Sequence, residues 1–179
     1  IDMSDHYVDV VGEGYDMVLR IGNLMDSTLI ARCLGKLAMV LCASPDYLKV
    51  HGTPRSCDDL SQHNCLLYGR EGQLGWKLKS DGAVNTFAVK GSLSSNNGEV
   101  IRDAAEAGVG VALLPTFIVE ESLRQGSLVQ ILAECSPPHL TLSALYPKHR
   151  QNSAVTRVLL SFLAERVAGI VDEDAGDEI

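Results

Sequence analysis

The sequence has 179 residues, 46% of them hydrophobic and 21% charged, with a formal net charge of −8. That apolar content is enough to bury a core in one domain or two small lobes, and too much for a disordered chain. The longest apolar runs, Leu37 to Ala43 and Val109 to Pro115, are far short of the roughly 20 residues of a membrane-spanning helix, and an acidic body argues against a nucleic-acid footprint.

In chain order, Tyr15 to Ile21 is an apolar run broken by Arg20, which predicts a strand buried in a parallel sheet between helices. Leu29 to Leu34 and Leu37 to Ala43 predict two further strands separated by Gly35, the second crossing into another lobe. Ser44 is placed to cap a short helix with Pro45 at its first position and Gly52 at its end. A helical turn from Ser56 or Asp58 precedes strands at Cys65 to Tyr68, Gly75 to Leu78 and Thr86 to Leu93, with Gly82 in a hairpin turn.

From Asn96 the period changes. Val100, Ile101, Ala104 and Ala105 recur at helical spacing, and Gly108 ends that helix. A buried strand over Val109 to Leu114, a helix over Thr116 to Gln125 and an extended segment over Leu128 to Leu132 follow. Leu140 to Tyr146 is the last long strand. Val155, Val158, Leu159, Phe162, Leu163 and Val167 then form one apolar helical face behind a Ser153 cap, predicted to face the core. This alternation specifies an α/β fold.

The end of the chain is different in kind. Asp172, Glu173, Asp174, Asp177 and Glu178 carry five of the acidic charges, leaving −3 for the rest, so 171–179 is expected to be a solvated, disordered tail. The cysteines Cys33, Cys42, Cys57, Cys65 and Cys135 are odd in number and contain no C-x-x-C pair, which indicates neither a disulfide framework nor a zinc site and fits a reducing cytoplasm. A redox pair would require two distant cysteines to meet in space. The histidines fall on predicted turns and helix ends, where most are expected to be solvated.

Several segments carry a family resemblance. YDMVLRIGNLMDSTLIARCLGKLAMVLCASPDYLKVHGTP (Tyr15 to Pro54) is followed by Asp59, Leu60, His63, Cys65 and Leu66 in the spacing DLxxHxCL, and by Trp76. Then come Asn96, Gly98, Ala104 or Ala105, Gly108, Gly110, Leu114 and Pro115, and finally Tyr146-Pro147. Together they resemble the effector-binding domain of LysR-type transcriptional regulators, over about Val8 to Val167. The resemblance implies a two-lobed, type II periplasmic-binding-protein-like fold with two crossing strands. Its first lobe would comprise 1–36 with 146–170, lacking that lobe's first strand and helix, and its second 37–145. It further implies a homodimer or homotetramer in a longer protein that contacts DNA only through an absent winged helix-turn-helix, so that this chain alone binds no specific DNA.

An effector would sit between the lobes, at the carboxyl ends of strands. Ser94, Ser95 and Asn96 combine hydroxyls and an amide with a predicted helix start, where free N–H groups favour an anion; helix capping accounts for some of the same side chains. Arg20, with Gly22 and Asn23 in the turn after it, would meet an anionic effector, or else pair with Asp16 or Asp26. Ser4 is a further ligand-binding candidate. No cofactor, metal or catalytic residue is expected, because G-x-S-x-G, P-loop and H-E-x-x-H motifs are all lacking. A solute-binding protein of a transport system shares the fold class and is the alternative reading.

Overall fold

In the computed structural model, which describes Asp2 and residues 8–22, 28–69, 75–80 and 82–167, the elements follow one another as β1 (Val18–Ile21), β2 (Ile30–Leu37), β3 (Met39–Ala43), α1 (Pro45–His51), β4 (Cys65–Tyr68), β5 (Trp76–Ser80) and β6 (Ala83–Phe87). They continue with β7 (Ser94–Ser95), α2 (Gly98–Glu106), β8 (Val111–Pro115), α3 (Thr116–Gln125), β9 (Val129–Gln130), β10 (Leu140–Tyr146) and α4 (Ala154–Val167). A 3₁₀ turn, Cys57–Gln62, lies between α1 and β4. The chain divides into two units, Ile1–Leu37 with His139–Ile179, and Ala38–Pro138. The acidic tail lies outside the described residues.

The first unit holds a sheet ordered β1-β10-β2, antiparallel throughout. This corrects two expectations. Strand β1 is not buried between helices in a parallel sheet: it pairs antiparallel with β10, and its residues alternate between half-buried (Val18, Arg20) and exposed (Leu19, Ile21). Four apolar-rich residues suit either arrangement, and only the partner strand decides. Strand β10, expected to belong with the second lobe, lies in the first unit between β1 and β2, so the chain passes between units at Leu37/Ala38 and Pro138/His139. Gly35 does not interrupt β2, which runs through it with an irregularity opposite Leu142 and Ser143.

Helix α4 buries Thr156, Leu160 and Val167, with Leu160 packed in a cluster with Ala144 and Tyr146. Of the apolar face read from the sequence, only Val167 is buried and Leu163 half-buried. Val155, Val158, Leu159 and Phe162 are 67%, 70%, 38% and 52% exposed, and the Arg166 guanidinium covers the Phe162 ring at 5.5 Å. Apolar residues occupy more than half of this helix's circumference, so its sequence does not single out the stripe that packs.

In the second unit the sheet order is β7-β4-β8-β3-β9. Strands β7, β4 and β8 are mutually parallel, whereas β3 runs antiparallel to β8 and β9. Alternate residues of the central strands feed two cores. Leu41, Val111 and Leu113 join Tyr47, Leu60, Trp76, Leu78 and Ile131 on one face. Val40, Cys42, Ala112 and Leu114 join Leu66, Ile101, Ala105, Val119 and Leu128 on the other. Coverage of both faces is why β3 and β8 read as unbroken apolar runs. Each large side chain so buried contributes roughly 1.5–3 kcal/mol of transfer free energy.

The hairpin β5–β6 turns at Gly82, whose φ of 81° suits a residue without Cβ. Its second strand is Ala83–Phe87, where the sequence pattern suggests Thr86 to Leu93. The remainder of that stretch runs beside β4 without forming a ladder: Cys65 N–H donates to Lys90 O at 3.0 Å and Leu67 N–H to Leu93 O at 2.9 Å.

Two side-chain expectations also change. Cys57 and Cys135 form a disulfide across 78 residues of sequence, a pairing that spacing alone does not reveal. His63 is buried, with its Nδ1 3.1 Å from the Tyr47 hydroxyl, because the 3₁₀ turn delivers it under α1. His51, on the last turn of α1, stacks on the Tyr47 ring at 4.5 Å.

Candidate functional site

The loop entering α2 is built by hydrogen bonds from β4. Strand β7 pairs in parallel with β4, placing Ser94 beside Leu67 and Ser95 beside Tyr68, and Gly69 N–H donates to Ser95 O at 3.0 Å. Upstream, the Asn64 amide fastens the chain. Its Nδ2 donates to Ser92 Oγ (2.9 Å) and Val109 O (2.7 Å), and its Oδ1 accepts from Ser92 N–H (2.8 Å). Gly91 allows the close approach, since a Cβ there would overlap the Cys65 carbonyl.

At the helix start the capping role falls to Asn97. Its Oδ1 accepts from Glu99 N–H at 2.9 Å and Val100 N–H at 3.3 Å, while Asn97 N–H donates to Ser95 Oγ at 3.1 Å. Ser95 therefore shapes the loop, and Asn97 uses two of the N–H groups that a bound anion would otherwise seek. Ser94 and Asn96 are exposed. Gly98 is buried where any side chain would meet Ile118 and the Tyr68 ring.

These residues lie at the carboxyl ends of the parallel strands β7, β4 and β8. Because β3 runs antiparallel to β8, with Met39 opposite Pro115, the chain enters the second unit at this same sheet edge. Thr116 marks it, donating from N–H (2.9 Å) and Oγ1 (3.2 Å) to Ala38 O.

In the first unit, Arg20 is half-buried opposite the buried Ser143, and Gly22 follows with φ 107°, its N–H donating to Thr141 O at 2.9 Å. This end of the sheet is also where the chain leaves and returns, since Ile21 pairs with Leu142 and Leu37 with Leu140. Asp16, one ion-pair partner expected for Arg20, is 3.1 Å from Arg150 Nε. Asn23, Ser4 and Asp26 lie outside the described residues. An open depression lined by Val11, Thr28, Leu29, Pro147, Lys148 and His149 sits at the opposite end of this sheet and contains none of the predicted site residues.

The structure thus gathers the predicted residues into two clusters, Arg20 with Gly22 and Ser94 to Asn96, one in each unit. Sequence reasoning missed Asn64 and Tyr68, which position the second cluster. Only their place at a strand's two ends, before an apolar run and after it, could have signalled them. Among the described residues no group of three or more His, Cys, Asp or Glu side chains is arranged to hold a metal, and no helix is long and apolar enough to cross a membrane.

The geometry has known counterparts. The model of the LysR substrate binding domain matches residues 1–168, and the chain belongs to that family. It is 37% identical over 169 residues to the HTH-type transcriptional regulator DmlR of Escherichia coli, covering 93% of this chain and 55% of that protein. It is 38% identical over 167 residues to the HTH-type transcriptional regulator YhjC of the same organism, covering 92% and 56%. The CrgA regulatory domain of Neisseria meningitidis superposes with a TM-score of 0.79 at 32% identity, over 91% of this chain and 80% of that one. The fold is therefore the periplasmic-binding-protein-like α/β fold of LysR regulatory domains, and the chain is an effector-sensing domain of the LysR type rather than a transport solute-binding protein. It spans about half the length of the curated relatives it matches.

Proposed function

We propose that this chain reads a small anionic or strongly polar metabolite for a longer, cytoplasmic transcriptional regulator. The residues that contact the effector are Arg20 and Gly22 of the first unit and Ser94, Ser95 and Asn96 of the second, with Asn23 and Ser4 as further contacts. DNA is bound by another part of that protein, which works as a homodimer or homotetramer, and the chain itself performs no catalysis. One observation carries the reading: each cluster lies, within its own unit, at the sheet edge through which the chain passes to the other unit.

A guanidinium and several neutral donors favour a carboxylate or comparably polar group over an apolar ligand. Control of DNA binding then requires the effector to prefer one arrangement of units or subunits over another, because a ligand with equal affinity for both shifts nothing.

The test is calorimetry with matched acid and amide ligands on the wild type and Arg20→Ala. A charge-reading Arg20 predicts a loss of about 1.5–3 kcal/mol for the acid and a smaller one for the amide. Equal losses for both would mean that Arg20 supports the sheet and does not read charge. Turnover of any bound metabolite would overturn the non-enzymatic reading.

A further inference from the structure

Cys57 and Cys135 are each 4% exposed, inside the core that contains Tyr47, Leu60, Trp76 and Leu78. Their Cα atoms are 6.6 Å apart, within the usual range for a disulfide, and the bond spans 78 residues. The two ends are held very differently. Cys57 opens the 3₁₀ turn, where the Asp59 carboxylate accepts from Arg55 N–H (2.8 Å) and Ser56 N–H (3.0 Å).

Cys135 lies in a stretch without regular structure. After Ile131 N–H donates to Leu41 O, the chain turns through Leu132, a non-glycine residue at φ 49°. Cys135 N–H donates back to Leu132 O at 2.8 Å, and Lys79 N–H donates to Ser136 O at 2.8 Å. Pro137 and Pro138, which lack N–H donors, then lead out of the unit. The disulfide therefore fastens the exit segment 131–138 to the core, three residues before the chain crosses. Otherwise the segment is held by those backbone bonds and by the burial of Ile131 and Leu132 in the same core, and it contains no helix or ladder strand.

We propose that Cys57 and Cys135 are a reversible thiol–disulfide couple, exchanging with small-molecule thiols and disulfides, whose oxidation state sets the order of segment 131–138. The inference rests on the cytoplasmic reading above, since in a reducing compartment a disulfide is in exchange rather than permanent. Opening of the 132–135 turn uncovers Cys135 before Cys57, so exchange begins there. In oxidation by a small disulfide, the Cys135 thiolate attacks one sulfur, forming a mixed disulfide and releasing one small thiol. The Cys57 thiolate then attacks Cys135 Sγ and releases the second. Two protein thiols lose two protons and two electrons, and the small disulfide gains both; two small thiols reverse the two steps and leave as the disulfide. The other thiols stay out of the reaction for separate reasons. Burial pushes Cys42 and Cys65 up to about 12, keeping them protonated, and the exposed Cys33 is removed by substitution in the test below.

The experiment uses the full chain carrying Cys33→Ser, equilibrated without denaturant in a series of reduced-to-oxidised glutathione ratios, then acid-quenched, alkylated and mapped by peptide mass. The expected result is one reversible transition confined to the peptides containing Cys57 and Cys135. Hydrogen exchange should quicken about tenfold in 131–138 on reduction, while β10 stays unchanged. Adding Cys57→Ser should trap a glutathione adduct on Cys135, whereas Cys135→Ser should leave Cys57 unmodified in the native fold. A bond that yields only in denaturant, thiols that never pair, or equal exchange in the two states would each overturn the proposal. No readout involves an effector, so a failed effector titration leaves the couple standing, and a failed couple leaves the effector site standing.

Discussion

Asn64 and Ser92 are joined twice: Asn64 Nδ2 donates to Ser92 Oγ at 2.9 Å, and Ser92 N–H donates to Asn64 Oδ1 at 2.8 Å. The same amide reaches Val109 O, so one side chain ties β4 both to the start of the candidate ligand loop and to the segment entering β8.

Asn64→Ala should therefore cost roughly 0.5–1.5 kcal/mol in denaturant unfolding, because it removes these bonds from groups that water can still reach. Asn64→Asp should lose nearly as much, since a carboxylate can still accept from Ser92 N–H but repels the Val109 carbonyl. An Asp variant as stable as the wild type would show that the Val109 bond contributes little.

His63 predicts an acid sensitivity. Burial holds it below the ordinary 6.5, a charge on His51 adds to this, and Asp59 opposes both. The folded state thus favours the neutral ring, and the unfolded chain binds the proton more readily. The contribution is complete above about pH 6.5 and is lost as pH falls through the lower folded value. Neutral Nδ1 can accept the Tyr47 hydroxyl hydrogen while Tyr47 Oη accepts from Asn64 N–H at 3.0 Å. Melting temperatures from about pH 7.5 to about 5 should fall less steeply in His63→Gln than in the wild type. Parallel curves would place the acid sensitivity elsewhere.

Thr156 is 2% exposed and its hydroxyl has no hydrogen-bond partner among the described residues. Replacing it with the near-isosteric valine removes an unpaired polar group without opening a cavity, and should stabilise the fold by roughly 1 kcal/mol. Thr156→Ala should destabilise instead, since it leaves space on the face of α4 that packs. A destabilised Val variant would mean that the hydroxyl is satisfied in solution by an ordered water.

Helix α4 supplies a paired comparison. Leu160→Ala should cost roughly 2–5 kcal/mol as a core truncation, whereas Val158→Ser should change stability by no more than about 0.5 kcal/mol. Denaturant titration of the two variants checks the orientation of the helix directly; a larger loss for Val158 would mean that the exposed face is covered in solution.

The sequence by itself determined the family and the local elements whose signals are short-range. Ser44-Pro45 and Gly52 bracket α1, Thr116 opens and Gly126 closes α3, and the unbroken apolar runs of β3 and β8 mark strands covered on both faces. Motif order from Tyr15 to Pro147 led to the LysR family because it records a whole domain rather than a single site. Tertiary structure alone decided what depends on a distant partner. The placement of β10 beside β1 and β2, the stripe of α4 that packs, the meeting of Cys57 with Cys135 and the burial of His63 under Tyr47 all join residues far apart in the chain or select one of two equally apolar faces. Asn97 rather than Asn96 caps α2 for a related reason: parallel pairing of Ser94 and Ser95 with β4 sets the residue at which the backbone turns into the helix, and two adjacent asparagines have the same capping chemistry.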